Sequence, residues 1–456
     1  MIYGNYKNVG HSESIQETNQ RMYNEFKARN VSIGGVIAYM VRAVIVVDPE
    51  LMKSILVKDS ANFPGRANFN LEFEPLLGNL FFLEGEAWRL LRMKIAPMFS
   101  LSKIRVMFET ILEVEDQLEN YLMDATANGG QELEMKYIMA GNTMDVIGTC
   151  ALGIKCNSLR DNNSELHKIF NEITDQTPVK LLLLTILLSF KRLSAMFKIK
   201  PTIANVEKFF VELVRSTIDY REKNNIQRND FLNLLIQLKN SDDPEESLTI
   251  EEITAQVFFF FWAGFDTSAS GLVCCLHELA MNPDIQEKVR SEIMRVCDDR
   301  VLTYERVSSV EYLNMVIDET FRKYPPGDLH RNILQDYQVP GSDLKLPANT
   351  MVIIPTFAIH HDPEHYPEPE RFDPERFNAT NRANRHPYVY LPFGKGPRYC
   401  IGMRFGLTQV QAALVTILRK FRVKPSPNTP LRLRRDPKSA VGVPLGPVPL
   451  LIERLV

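Results

Sequence analysis

Residues Leu391 to Gly402, LPFGKGPRYCIG, constrain this chain more than any other stretch. They place Phe393, Gly396, Arg398, Cys400 and Gly402 at F-x-x-G-x-R-x-C-x-G spacing, shortly before an apolar helical pattern from Leu407 to Phe421. A thiolate that follows a glycine-rich turn and precedes a helix gains from free backbone N–H donors and from the positive helix end. Glycines let backbone approach a flat ligand closely. An aromatic neighbour and a fixed arginine suit a large apolar macrocycle that carries carboxylates. The bland alternative is a buried cysteine in a tight loop. Five specified positions, each at roughly one-in-twenty usage, make a chance match improbable. A macrocycle of that size needs a deep core, and 456 residues are ample for one.

Charge narrows the function. The 53 basic and 56 acidic side chains leave a net charge of −3, which argues against a nucleic-acid binder. The six cysteines (150, 156, 274, 275, 297 and 400) form no C-x-x-C pair. Zinc sites and structural disulfides are therefore not expected, and most of the cysteines, Cys400 excepted, read as buried, inert thiols. The opening MIYGNYKNVG is polar and is no signal peptide. Residues 1–27 read as a polar leader without a membrane anchor, and 28–456 as a single domain. Val31 to Val47 is apolar but carries Gly34, Gly35 and Arg42 and runs into Asp48-Pro49. Strands fit it better than a span, because a mid-bilayer arginine costs about 3 kcal/mol. Leu181 to Phe190, LLLLTILLSF, is half the roughly twenty residues a span needs. It reads as a buried helix segment or as a patch dipping into a bilayer surface.

Short strands and helices open the chain, helical periodicity dominates from about 86 to 325, and strands and turns follow Pro325-Pro326. A proline-rich meander, HHDPEHYPEPERFDPERF, precedes the cysteine segment. The expectation is a mainly α fold with a small β portion.

Three further motifs stand on predicted helices. Ala263 to Ser268, AGFDTS, interrupts the apolar run QVFFFFWAGFDTSASGLVCCLHELA. A mid-helix glycine costs about 0.5–1 kcal/mol and a hydroxyl can divert a helical carbonyl, so together they can open a local bulge there. Asp266 beside Thr267 reads as a proton-delivery pair, against the alternative of a small-residue helix crossing. Most of Phe258 to Phe261 and Trp262 should be core, with some narrowing a cavity. Glu319 and Arg322, at i, i+3, are a weak signal alone. Trp88 and Arg92, at i, i+4, can aim an indole N–H and a guanidinium at one anion. His360, His361 and His365 lie in the proline-rich stretch, where no helical face aligns them for a metal.

Together these segments resemble the cytochrome P450 superfamily, from about Val44 to Ile452, most closely its microsomal, insect-type detoxification branch. DVIGTCALGIKCNSL at 145–159 and the PERF run carry the closer likeness. The resemblance implies a long central helix over one b-type haem (iron protoporphyrin IX), with Cys400 as the metal ligand and Phe393 beside its sulfur. Gly402 and Ala263 would lie against the haem, and Trp88, Arg92, Arg331 and Arg398 would clasp its propionates. Asp266 and Thr267 would be catalytic, and Glu319, Arg322 and Arg376 a buried structural network. The implied reaction inserts one oxygen atom from dioxygen into apolar xenobiotics or endogenous lipids and hormones. Electrons would come from NADPH through NADPH–cytochrome P450 reductase, with cytochrome b5 a further candidate donor and Arg89, Lys94, Lys395 and Arg404 steering the partner. The implied location is the cytosolic face of the endoplasmic reticulum membrane, bound peripherally. Between Pro326 and Arg331 stand four residues, one fewer than that branch leads one to expect. Two alternatives keep the fold: a thiolate-haem isomerase or dehydratase acting on peroxides, and a non-catalytic ligand binder.

Overall fold

A computed structural model describes residues 3–66, 75–154, 156–161, 164–174, 204–243, 247–297 and 301–455. The Leu181 to Phe190 stretch lies outside the described residues. The architecture is mainly helical with small sheets, as expected.

The centre is a 32-residue helix, Ile250–Met281. Its start is set by a capping box in which Thr249 and Glu252 satisfy each other's backbone N–H groups. Its sequence is apolar on nearly every side, the pattern of a helix enclosed by protein. Helices Met135–Ile147 and Met403–Lys420 pack against it, and Leu101–Ala125 packs against Met403–Lys420. Among the described helices it is the one long and apolar enough to cross a bilayer, and most of it is buried in the protein.

A second core sits on a four-stranded sheet. Ile33–Ala38 and Val41–Val46 are the strands expected within Val31 to Val47, and they pair antiparallel. Met351–Ile354 runs parallel to the second strand, and Leu329–Asn332 pairs antiparallel with Met351–Ile354, setting Arg331 opposite Val352. Helix Ile15–Ala28, within the stretch 1–27 that reads as a polar leader, packs onto this sheet. Helix Ile15–Ala28 is capped by Ser14 and Glu17 and buries Met22 and Tyr23. Asn19 donates to Asp328 at 2.7 Å and the Tyr23 hydroxyl to Asp362 at 2.8 Å. Polar residues here serve as buried hydrogen-bond partners rather than as solvated surface.

One buried acid in the helical core predicts a pH effect. Glu115 accepts from Asn142 Nδ2 at 3.1 Å, while Glu115 Oε2 and Asn142 Oδ1 have no partner. Burial, with Asp116 adding to it, pushes the carboxyl up to about 8. Protonation supplies a donor where both unsatisfied atoms are acceptors. The folded state then holds a proton that the unfolded chain (ordinary value about 4.3) releases, so stability falls as pH rises from there to about 8. Glu115→Gln is expected to match wild type in urea unfolding near pH 4 and to exceed it by a few kcal/mol near pH 8. A pH-independent difference would count against a protonated Glu115.

Candidate active site

The loop from Leu391 to Gly402 is shaped by short backbone bonds. Gly394 N donates to the Leu391 carbonyl at 3.0 Å, Tyr399 N to Gly396 at 3.0 Å, and Cys400 N to Phe393 at 2.8 Å. Gly396 has φ +73°, and a Cβ there would stand 1.9 Å from the Leu56 carbonyl oxygen, so only glycine fits. Helix Met403–Lys420 starts at Gly402. Cys400 is thus held at a helix N-terminus, open on one side. Dense surroundings push its thiol up, opposed by the Gly402 N–H and the Arg66 and Arg92 guanidiniums. Phe393 packs edge-on against Phe321 at 5.4 Å between centroids.

The cations expected to hold carboxylates do come together. The Arg398 guanidinium lies 4.2 Å over the Trp88 ring and donates to the Leu83 carbonyl at 2.7 Å. Arg92 donates to the Tyr399 carbonyl at 3.1 Å and lies over its ring. Arg331 is buried on its strand and donates to the His330 carbonyl. Sequence reasoning missed Arg66, which donates to the Arg398 carbonyl at 2.6 Å and caps the Phe81 ring. Burial and one another's charge push Arg66, Arg331 and Arg398 down from the ordinary guanidinium range. The Arg398 Nε is buried without a partner. Several cations held together with an orphaned donor fit a group bearing two carboxylates.

On the other side, the central helix carries a partly open stripe. Phe259, Ala263, Asp266, Thr267 and Ser270 stay partly open among otherwise buried neighbours, and their i, i+4, i+7, i+8, i+11 spacing puts them on one face. Phe258, Phe260 and Phe261 are core, whereas Phe259 and Trp262 are half-buried. Phe259 packs on Phe81 at 5.6 Å. Burial pushes the Asp266 carboxyl up to about 6, with Lys136 pulling it back. The Thr267 hydroxyl donates to the Ala263 carbonyl at 2.8 Å. The bulge does not form, and Ile250–Met281 is continuous α-helix. The glycine serves a close crossing instead: a Cβ on Gly264 would stand 2.4 Å from Ile147 Cδ1. The small-residue crossing is therefore present, and Asp266 and Thr267 lie beside it on the partly open stripe.

Behind the cysteine loop, Arg322 donates to both Glu319 oxygens at 2.7 and 2.9 Å, and Asp373 N and Arg376 also turn toward that carboxylate. Arg322 also donates to the His360 carbonyl at 2.9 Å. Leu391 N donates to His360 Nε2 at 2.9 Å, which leaves the proton on Nδ1, 3.1 Å from the Arg322 carbonyl. His360 thus couples this network to the first residue of the cysteine loop, and its neighbour His361 donates to the Phe357 carbonyl. On the outer surface Arg89 is paired with Glu86 and Lys94 donates to the Ser247 carbonyl, while Lys395 and Arg404 are exposed.

The Cytochrome P450 family profile matches residues 1–453. Probable cytochrome P450 6a14 of Drosophila melanogaster is 38% identical over 473 residues, covering 100% of this chain and 92% of the relative. Cytochrome P450 6a2 of the same species is 39% identical over 469 residues, covering 100% and 92%. Cytochrome P450 6A1 of Musca domestica is 38% identical over 455 residues, covering 97% and 89%.

Proposed function

The chain belongs to the cytochrome P450 family and is therefore a haem-dependent monooxygenase, and from that premise we propose how its own residues carry the reaction. Cys400 is the iron ligand. Bound there, the haem supplies the centre at which electrons and dioxygen meet, and thiolate ligation favours O–O cleavage. The observation that carries this reading is the cationic clasp with its orphaned Arg398 Nε, set beside the open side of Cys400. Arg398, Arg331, Arg92, Trp88 and Arg66 hold and orient the two carboxylates.

The open stripe of the central helix is the wall of the reaction chamber. Ala263 leaves room for the cofactor, and Phe81, Phe259 and Trp262 exclude water and favour an apolar substrate. An Asp266 carboxyl near 6 can take and release a proton close to neutral pH. Thr267 Oγ1 is oriented by its bond to the Ala263 carbonyl, so its lone pairs face away from the helix axis toward the chamber.

The substrates are apolar xenobiotics or endogenous lipids and hormones, and the electrons come from NADPH through a flavoprotein reductase. Exposed Lys395 and Arg404, with Leu90 and Met93 also exposed, suit an acidic partner that also offers apolar surface. The charge of Arg89 is already balanced by Glu86, so it contributes less to steering than its sequence position implied. The location is the cytosolic face of the endoplasmic reticulum membrane.

Thr267→Ala tests the proton path. The variant is expected to fold, to bind haem and substrate, and to keep consuming NADPH. Product formed per NADPH should fall about tenfold, with the difference recovered as hydrogen peroxide. NADPH loss, peroxide and product are measured together beside wild type. Unchanged coupling would remove Thr267 from the path. A peroxide isomerase would instead turn over added peroxide without reductase.

A further inference from the structure

The helix that follows Cys400 reaches the chamber wall through one buried amide. Gln409, on Met403–Lys420, is 1% exposed. Its Nε2 donates to the Gly264 carbonyl at 3.0 Å and to Ser268 Oγ, while Gln409 Oε1 has no partner. A carbonyl oxygen can only accept, so the NH2 group must face Gly264. Two consecutive carbonyls of the central helix thus receive side-chain donors, Ala263 from Thr267 and Gly264 from Gln409. Gly264 is pressed by Ile147 from a different helix. The turn that carries Asp266 and Thr267 is gripped from outside at its two ends, Gly264 and Ser268.

We propose that Gln409 is a positioning residue: it locks the Gly264–Ser268 turn to the helix that starts beside Cys400, so that the Asp266–Thr267 pair keeps one fixed place relative to that cysteine. The inference rests on the reading of Asp266 and Thr267 as the proton path. The Thr267 hydroxyl competes with the intrahelical bond at the Ala263 carbonyl, and a mid-helix glycine is already costly. Without the clamp, this turn is the place where the helix opens most readily. The clamp does not itself move protons, because an amide neither gains nor loses one near neutral pH. It acts by denying Thr267 alternative positions. The unpaired Oε1 is a cost accepted for that geometry, since burying an unsatisfied acceptor is unfavourable.

Gln409→Met keeps the length of the side chain and removes both donors. Gln411→Met is the control: on the same helix, Gln411 donates to Asn314 at 2.6 Å, a residue of a different helix, Glu311–Lys323. Amide hydrogen exchange is followed across residues 263–270, in the protein with and without haem, together with product formed per NADPH. Gln409→Met is expected to speed exchange in that segment about tenfold and to lower product per NADPH several-fold, with substrate KM unchanged. Gln411→Met should do neither. If Gln409→Met leaves exchange and coupling unchanged while Thr267→Ala uncouples, the clamp is overturned and the proton path stands. If Gln411→Met uncouples equally, the effect is general loosening of the helix and the clamp is again overturned. If neither Gln409→Met nor Thr267→Ala changes coupling, the proton path falls and the clamp falls with it.

Discussion

Cys400→Ser is expected to abolish the thiolate-type carbon monoxide difference spectrum of the reduced protein while leaving the fold intact. The substitution changes one atom at a position whose loop is shaped by backbone bonds from Phe393, Gly396 and Leu391, none of which uses the sulfur. Serine oxygen is a poor ligand for haem iron at neutral pH, whereas a metal-bound thiol is deprotonated outright. The Gly402 N–H and the nearby Arg66 and Arg92 favour the ionised sulfur. Cys150 and Cys297 are buried in the helical core, and burial pushes the Cys150 thiol far up. Serine at either of those two positions should leave the spectrum unchanged. A thiolate signature that survives in the Cys400 variant would overturn the ligand assignment. The same spectrum is shared by a peroxide isomerase, so turnover with reductase and NADPH remains the measurement that separates the reaction classes.

The parts of this site written in short-range spacing were legible in the sequence. Phe393 to Gly402 is one loop, so its residue types and their geometry are set together by local bonds. Trp88 and Arg92 share a helix face. Glu319 and Arg322 do the same, and proline punctuation places the meander that brings in Arg376. What sequence could not reveal depends on tertiary distance. Arg66 meets the Arg398 carbonyl across 332 residues, and nothing in PGRAN marks that arginine. Gln409 reaches Gly264 across 145 residues from the middle of an ordinary amphipathic helix. His360 looked like one of three imidazoles without a common face. It is instead a neutral hydrogen-bond bridge, driven down to about 3 by burial and the charge of Arg322. The bulge at AGFDTS is absent for a tertiary reason as well. Local propensity allows the helix to open, but Ile147 on one side and Gln409 on another hold it closed. The seating of helix Ile15–Ala28 was equally out of reach, because its polar residues find their buried partners, Asp328 and Asp362, far along the chain.

The second large effect is expected at Glu319 and Arg322, which touch neither cysteine nor chamber. Both side chains are fully enclosed and joined through two hydrogen bonds. Deleting either partner leaves the other charged and unpaired in the interior, which costs about 3–5 kcal/mol. Arg322→Leu also frees the His360 carbonyl, and through His360 it loosens the Leu391 N–H that opens the cysteine loop. Glu319→Leu strands Arg322 and the Asp373 N–H together. Each single variant should therefore lose several kcal/mol in urea unfolding and release haem more readily, although no ligand has been altered. The double variant Glu319→Leu plus Arg322→Leu removes both fully enclosed charges and should be no less stable than the worse single variant, because only Arg376, at the edge of the pair, then lacks its partner. A purely additive double variant would mean that each residue acts through its own contacts. Single variants within about 0.5 kcal/mol of wild type would mean that the pair sits in water-accessible surroundings and that the cysteine loop is held by backbone bonds alone.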